Sequence, residues 1–157
     1  VSQAQFSHPQ FMQTLERALR DTQAPPQFIE LEITESMAMQ DPDFLIKTLH
    51  QIKQLGIRIS IDDFGTGFSS LSYLQKLEVD KLKIDRAFVH EIQQSRASIA
   101  NMVVQLGQNL GLTVIAEGVE TSIQADTLRN FGCHLAQGYL FAKPLSTVDL
   151  RTWLSEN

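Results

Sequence analysis

A chain of 157 residues, 43% hydrophobic and 20% charged, is long enough for one core-forming domain, too short for two ordinary ones, and too apolar for a disordered segment. Its formal charge of −5 excludes a protein that grips a nucleic acid polymer by phosphate contacts alone, so a phosphate ligand would need mediating cations. The single cysteine, Cys133, leaves no internal disulfide and suits a reducing compartment. With no apolar run of transmembrane length and no signal-peptide pattern, a cytoplasmic location is expected, the parent protein being free to carry a membrane anchor upstream.

In chain order, Val1 to Phe6 is ambiguous and reads as the tail of a strand. Ser7 and Gln10 spell a capping box with Pro9 in the first turn, which predicts a helix to about Arg20 with Phe11, Met12, Leu15, Ala18 and Leu19 on its apolar face. Ala24-Pro25-Pro26 breaks the chain before a predicted strand from Phe28 to Ile33. Asp41-Pro42 opens the next helix, striped by Phe44, Leu45, Leu49, Ile52 and Leu55 and closed by Gly56. Then comes IRISIDDFGTGFSSL, Ile57 to Leu71. It opens as a strand, with Ile57, Ile59 and Ile61 alternating with Arg58 and Ser60, and places Asp62 and Asp63 where that strand stops. Gly65 and Gly67 make a tight loop, and Ser69 and Ser70 cap a short helix through Leu71, Leu74 and Leu77.

A strand follows from Val79 to Asp85, then a helix from roughly Ser95 to Leu110 ended by Gly111. Leu112 to Ala116 is another strand. Thr121 and Gln124 make a second capping box for a helix closing at Phe131-Gly132. His134 to Phe141 is the last strand, and Ser146 caps a final helix with Leu150, Trp153 and Leu154 on one face. Five such alternations imply parallel strands joined by right-handed helical crossovers, in a single unit over residues 1–157.

Two lookalikes carry little. Asp63-Phe64-Gly65 spells a kinase-like DFG, but the glycine-rich loop, lysine strand and HRD-type loop of a kinase do not accompany it. Gly65-x-Gly67 hints at a dinucleotide fingerprint, yet Ser70 stands in for the third glycine and paired carboxylates repel a bare pyrophosphate. Asp-Asp before glycine is by itself as consistent with a turn as with a site.

What outweighs turn chemistry is where the ionisable groups fall. Glu32 and Glu35 lie at the end of the first predicted strand, Asp62 and Asp63 at the second, Lys83 and Asp85 at the third, Glu117 at the fourth and Gln137 on the fifth. In a parallel α/β array those ends share one face, where ligand sites form. Glu32 and Lys83 sit among apolar neighbours and need partners if buried. Glu35 also fits as helix N-terminal charge, and Gln137 fits a core amide as well as a ligand contact. Oxygen donors without His or Cys suit hard cations, Mg²⁺ or Mn²⁺, and disfavour zinc. Two such ions ~3.5–4 Å apart, bridged by Asp62 and Asp63, would activate a water for phosphoester hydrolysis, with Lys83 orienting that water or neutralising the phosphate. His8, His50, His90 and His134 are placed away from the strand ends.

The ordered set EITES, DDFGTGFSSL, KLKIDRAFV, VIAEGVET and AQGYLFAKPL resembles the EAL domain of bacterial cyclic-di-GMP phosphodiesterases over essentially the whole chain. The resemblance implies a TIM-like (β/α) barrel with one antiparallel strand, and hydrolysis of cyclic di-GMP to linear pGpG with Mg²⁺ or Mn²⁺. It implies metal ligation by Glu32, Asp62, Asp63 and Glu117, and a lysine near the catalytic water at Lys83. Glu120 and Gln137 match residues supporting metal or substrate contact. Glu35 matches the glutamate that steadies the loop containing Gly65 and Gly67, which couples to dimerisation. Asp85, Arg86 and the loop from Phe141 to Pro144 fall where the family contacts the dinucleotide. A homodimer and an upstream sensory or GGDEF-type domain are likewise implied.

The Glu-Ala-Leu signature itself and a family asparagine ligand are missing from the sequence, which begins at Val1. By this resemblance the chain corresponds to the C-terminal two-thirds, roughly, of an eight-stranded barrel, and its open sheet edges lead us to expect poor folding or inactivity when isolated. The competing reading is a non-catalytic EAL-like module that binds cyclic di-GMP or a protein. A metal-dependent phosphatase of unrelated α/β fold fits the strand-end acids but not the full order of motifs.

Overall fold

The computed structural model describes residues 1–38, 41–65, 71–92 and 98–156. Two short helices, α1 (Gln3–Phe6) and α2 (Phe11–Thr22), precede a 3₁₀ turn at Pro26–Phe28. Strand β1 (Glu30–Thr34) leads into α3 (Glu35–Ala38) and α4 (Pro42–Gln54). Then follow β2 (Arg58–Phe64), α5 (Leu71–Leu74), β3 (Lys81–Ile84), α6 (Arg86–Glu91) and α7 (Ser98–Asn109). The remainder is β4 (Thr113–Ala116), α8 (Ser122–Asn130), β5 (Leu135–Ala136) and α9 (Thr147–Glu156). No helix among the described residues is long and apolar enough to cross a membrane.

The five strands form one parallel sheet in sequential order, β1-β2-β3-β4-β5, with helices as the crossovers. This is the α/β arrangement of a barrel wall. Strand alternation sorts the side chains into two faces. Ile33, Ile59, Ile61, Leu82 and Ile84 are 0–1% exposed and belong to a core shared with Leu45, Leu49 and Ile52 of α4 and with Ala100, Val103 and Val104 of α7. Each such isoleucine contributes on the order of 1.5–3 kcal/mol when fully buried. The opposite face carries Glu32, Ser60, Asp62, Lys81 and Lys83, and it is this polar face that bears the site.

Several boundaries differ from the sequence expectations. Ser7 is not an N-cap but the C-cap of α1; the capping box belongs to Ser2 and Gln5, and α2 starts from Gln10 without a side-chain cap. Burial of Phe6 at 4% exposure, against Phe11 and Phe44, ties down the turn before α2. Strand β2 does not stop at the acids but runs through them to Phe64. Its register against β3 shifts between Ile61 and Phe64, and Asp63 takes φ of +54°. This is a β-bulge, which re-aims side chains at a sheet end. Helix α6 is unpredicted; Asp85 caps it, accepting from the Ala87 N–H at 2.6 Å.

The last strand is two residues long, not eight. After Ala136 the chain turns, with Gly138 O accepting from Phe141 and Ala142. Gly138 permits this path, since a Cβ there would lie 2.2 Å from Val119 O. Gly67, Ser69, Ser70 and the start of the helix predicted from Ser95 lie outside the described residues.

Candidate active site

The C-terminal ends of β1 to β4 deliver the acids and the lysine to one place. Thr34 pairs with Asp62, Ser60 with Lys81, and Lys83 with Ile115, so Glu32, Asp62 and Lys83 project from neighbouring strands onto the same face. Glu117 follows β4 directly, its N–H donating to Ile84 O at 3.1 Å. Lys83 is 6% exposed, and its Nζ donates to Glu117 Oε1 at 2.6 Å, Glu32 Oε1 at 2.7 Å and Asp62 Oδ1 at 3.1 Å. Burial by itself pushes the ammonium's pKa down. The hydrogen bonds to Glu117, Glu32 and Asp62 outweigh it, and the net shift is upward. The surrounding carboxylates therefore favour the charged ammonium.

Asp63 points elsewhere. The bulge turns it toward Asp85, with which it shares a side-chain hydrogen bond. Its pKa is raised, first by burial, then by that bond and by the charges of Asp62, Asp85 and Glu117. Asp62 and Asp63 thus face different partners, although adjacent in sequence.

Glu35 is 2% exposed and accepts from the Gly65 N–H at 2.9 Å, fastening the end of β2 to the end of β1. Gln137, just past β5, is exposed and donates through Nε2 to Glu117 Oε1 at 2.7 Å. Of the two readings the sequence allowed, its bond is to a site carboxylate and not to backbone.

A cavity of about 650 Å³ opens beside this cluster, lined among others by Arg86, His90, Glu120, Gln137, Tyr139 and Pro144. Gly118, with φ of +66°, lets β4 approach α6; a Cβ there would fall 2.7 Å from the Cβ of Arg86. Glu120 belongs to the cavity and not to the lysine cluster. Its Oε1 lies 3.7 Å from His90 Nε2. His90, expected from the sequence to lie away from the strand ends, is therefore a wall residue, brought there by α6 one turn after Arg86. Lys143, over the Tyr139 ring at 5.9 Å, is a second wall cation. Phe141 is 51% exposed and is not among the lining residues, whereas Pro144 is.

The donor set fits a hard divalent cation. Glu32, Asp62 and Glu117 already gather around one positive charge, and all their donors are carboxylate oxygens. Among the described residues no three His, Cys, Asp or Glu side chains stand ready-spaced to hold a metal ion. The three carboxylates converge on the Lys83 ammonium. A cation entering this set has to share or take over those oxygens.

Comparison with known proteins agrees with the motifs. The family described as EAL domain matches residues 1–144. The chain is 41% identical over 152 residues to the bifunctional diguanylate cyclase/cyclic di-GMP phosphodiesterase MucR of Pseudomonas aeruginosa, covering 96% of this chain and 22% of MucR. It spans about a fifth of the length of the curated relatives it matches. It is similar, with a TM-score of 0.92 and 41% identity, to a structure described as PaMucR phosphodiesterase in complex with c-di-GMP, over 96% of this chain and 62% of that one. A manganese/cy-diGMP complex of BlrP1 from Klebsiella pneumoniae gives a TM-score of 0.80 at 34% identity, over 89% and 36% of the respective chains.

Proposed function

The chain belongs to the EAL domain family, and on that premise we propose that it forms part of a metal-dependent phosphodiesterase that opens cyclic di-GMP to linear pGpG. The observation that carries this reading is the convergence of Glu32, Asp62 and Glu117 on Lys83, within 2.6–3.1 Å, at the shared end of the strands. The c-di-GMP and manganese complexes of similar proteins support it.

Glu32, Asp62, Asp63 and Glu117 would hold Mg²⁺ or Mn²⁺, in our reading as a pair. When bound, such ions generate a nucleophilic water at neutral pH and neutralise charge on the phosphate. The water oxygen bonds to phosphorus, one bridging P–O bond breaks, and the departing sugar oxygen takes a proton, leaving a phosphomonoester and a hydroxyl. Lys83, held protonated, donates to the water or to a phosphate oxygen. Asp85, hydrogen-bonded to Asp63, would orient that carboxylate. Gln137 fixes the free rotation of Glu117 through their 2.7 Å bond. Glu120 and Arg86 would contact the substrate from the cavity wall, with Pro144 also on that wall, whereas Asp85 and Phe141 are not among the lining residues. Glu35, by accepting from the Gly65 N–H, steadies the chain where it leaves β2. A homodimer and an upstream sensory or GGDEF-type domain complete the proposal; relatives about five times longer leave ample room for such domains.

The test is pGpG release from cyclic di-GMP with Mg²⁺, Mn²⁺, Ca²⁺ or EDTA, on this chain and on one extended upstream. Turnover in the extended chain that is abolished by EDTA and by Asp62→Ala is the expected result. Cyclic di-GMP affinity without turnover in the extended chain would replace the enzyme with a receptor.

A further inference from the structure

Two ion pairs, not one, run from β3 to β1 across the inner face of β2. Lys83 reaches Glu32 at 2.7 Å, and one pleat below it Lys81 reaches Glu30 at 2.5 Å. Residues two apart on a strand share a face, so the pairs stack as an upper and a lower tier. Between the tiers lies Ser60, register partner of both Glu32 and Lys81. It is fully buried, and its hydroxyl is left without a hydrogen-bond partner. Barrel interiors at this depth are ordinarily filled by branched aliphatic side chains. A Glu–Lys pair only about a quarter exposed, beneath an acid-rich site, needs a reason.

That reason lies in competition for one ammonium. Lys83 is held in the upper tier by three carboxylates, but Glu30 is a fourth, one pleat away on the same face as Glu32. Ser60 is too small to separate the tiers, and a lysine stem is flexible enough to swing between them. Lys81 engages Glu30 and so removes it from the competition. We propose that Lys81 is a positioning residue, which by neutralising Glu30 keeps the Lys83 ammonium in the upper tier against Glu32, Asp62 and Glu117. For its catalytic consequence the inference rests on the phosphodiesterase reading; its geometry does not.

The experiment compares the upstream-extended chain with its Lys81→Met variant, in which Glu30 is freed and Lys83 is drawn down. Two readouts then move in opposite directions. Mn²⁺ binding, measured by calorimetry without substrate, tightens roughly tenfold because the ammonium no longer competes for the carboxylates, while turnover falls roughly 10–100-fold, the range for losing an outer support of a metal site. Glu30→Gln combined with Lys81→Met removes the competitor with its restraint and returns both readouts toward the parent. A merely structural pair would lower Mn²⁺ affinity and turnover together in K81M. That outcome, or Mn²⁺ affinity equal to the parent's, overturns the proposal. Should K81M not fold, Lys81→Gln keeps a donor for Glu30 without the charge and is measured for the same opposed shifts. If the parent turns over no cyclic di-GMP, the phosphodiesterase reading fails, and the calorimetric comparison still decides the role of Lys81.

Discussion

The Glu35 carboxylate, 2% exposed, accepts a 2.9 Å hydrogen bond from the backbone N–H of Gly65, thirty residues further along the chain. It joins the first residue of α3 to the glycine that follows β2, and so couples two strand ends through one side chain. Gly65 has no room for a side chain as packed, since a Cβ there would meet the Phe88 ring at 2.8 Å. Glu35→Ala leaves the Gly65 N–H without this acceptor and is expected to cost about 1–3 kcal/mol in urea unfolding. Glu35→Gln, which retains an acceptor oxygen, should cost less. Equal losses in both variants would show that charge, and not the hydrogen bond, is what matters at this position.

Lys83 leads to a prediction about alkaline stability in metal-free protein. Its folded pKa lies above the ordinary lysine value of 10.5. Its contribution is therefore fully present below pH 10.5 and is lost as pH rises through the folded value. Lys83→Met should remove that alkaline dependence. At neutral pH it should lower stability by roughly 3 kcal/mol, the low end for unpairing a buried charge because Glu32 is half-exposed. Urea unfolding in EDTA at several pH values checks both statements.

Asp63 predicts the opposite sign for a site substitution. Burial and the neighbouring acids raise its pKa above 3.8, so the folded state binds that proton more tightly than the unfolded chain. Stability from this group is present below pH 3.8 and falls as pH rises through the raised value. Asp63→Asn should therefore raise Tm in EDTA at neutral pH, with the gain vanishing at pH below 3.8. Asn also tolerates the +54° φ of this position. The same variant should abolish cation-dependent hydrolysis. A lower Tm at neutral pH would refute the assignment of Asp63 as a carboxyl strained by its neighbours.

Gly138 should be among the least tolerant positions in the chain. A Cβ there would fall 2.2 Å from Val119 O and 2.3 Å from Val119 N, both backbone atoms that cannot rotate away. Gly138→Ala is expected to cost more than about 3 kcal/mol, the upper range for overpacking, and to displace Gln137 from Glu117. Circular dichroism melting reads the first effect and turnover the second.

How much of this is legible in the sequence follows from the range of the interactions. The Thr121–Gln124 capping box is readable because both of its hydrogen bonds close within a few residues. The same local pattern occurs at Ser2–Gln5 and at Ser7–Gln10, and only the packing of Phe6 against Phe11 and Phe44 selects the first. The predicted length of β5 fails for a similar reason, since the contact of Gly138 with Val119 is invisible to strand alternation.

The sequence by itself determined that this is a parallel α/β unit of the EAL domain family whose acids and lysine lie at one set of strand ends. Periodicity suffices for the parallel unit, because a βα repeat sends every strand's C-terminal end to the same side, and the resemblance of the ordered motifs implies the family. Tertiary structure alone decided how those residues divide. Lys83 takes Glu32, Asp62 and Glu117, and the β2 bulge sends Asp63 to Asp85. Helix α6 sets His90 opposite Glu120, and Lys81 pairs with Glu30 beneath the site. Each of these depends on inter-strand register and on a bulge or helix docking, in which residues far apart in sequence compete for the same partner through space.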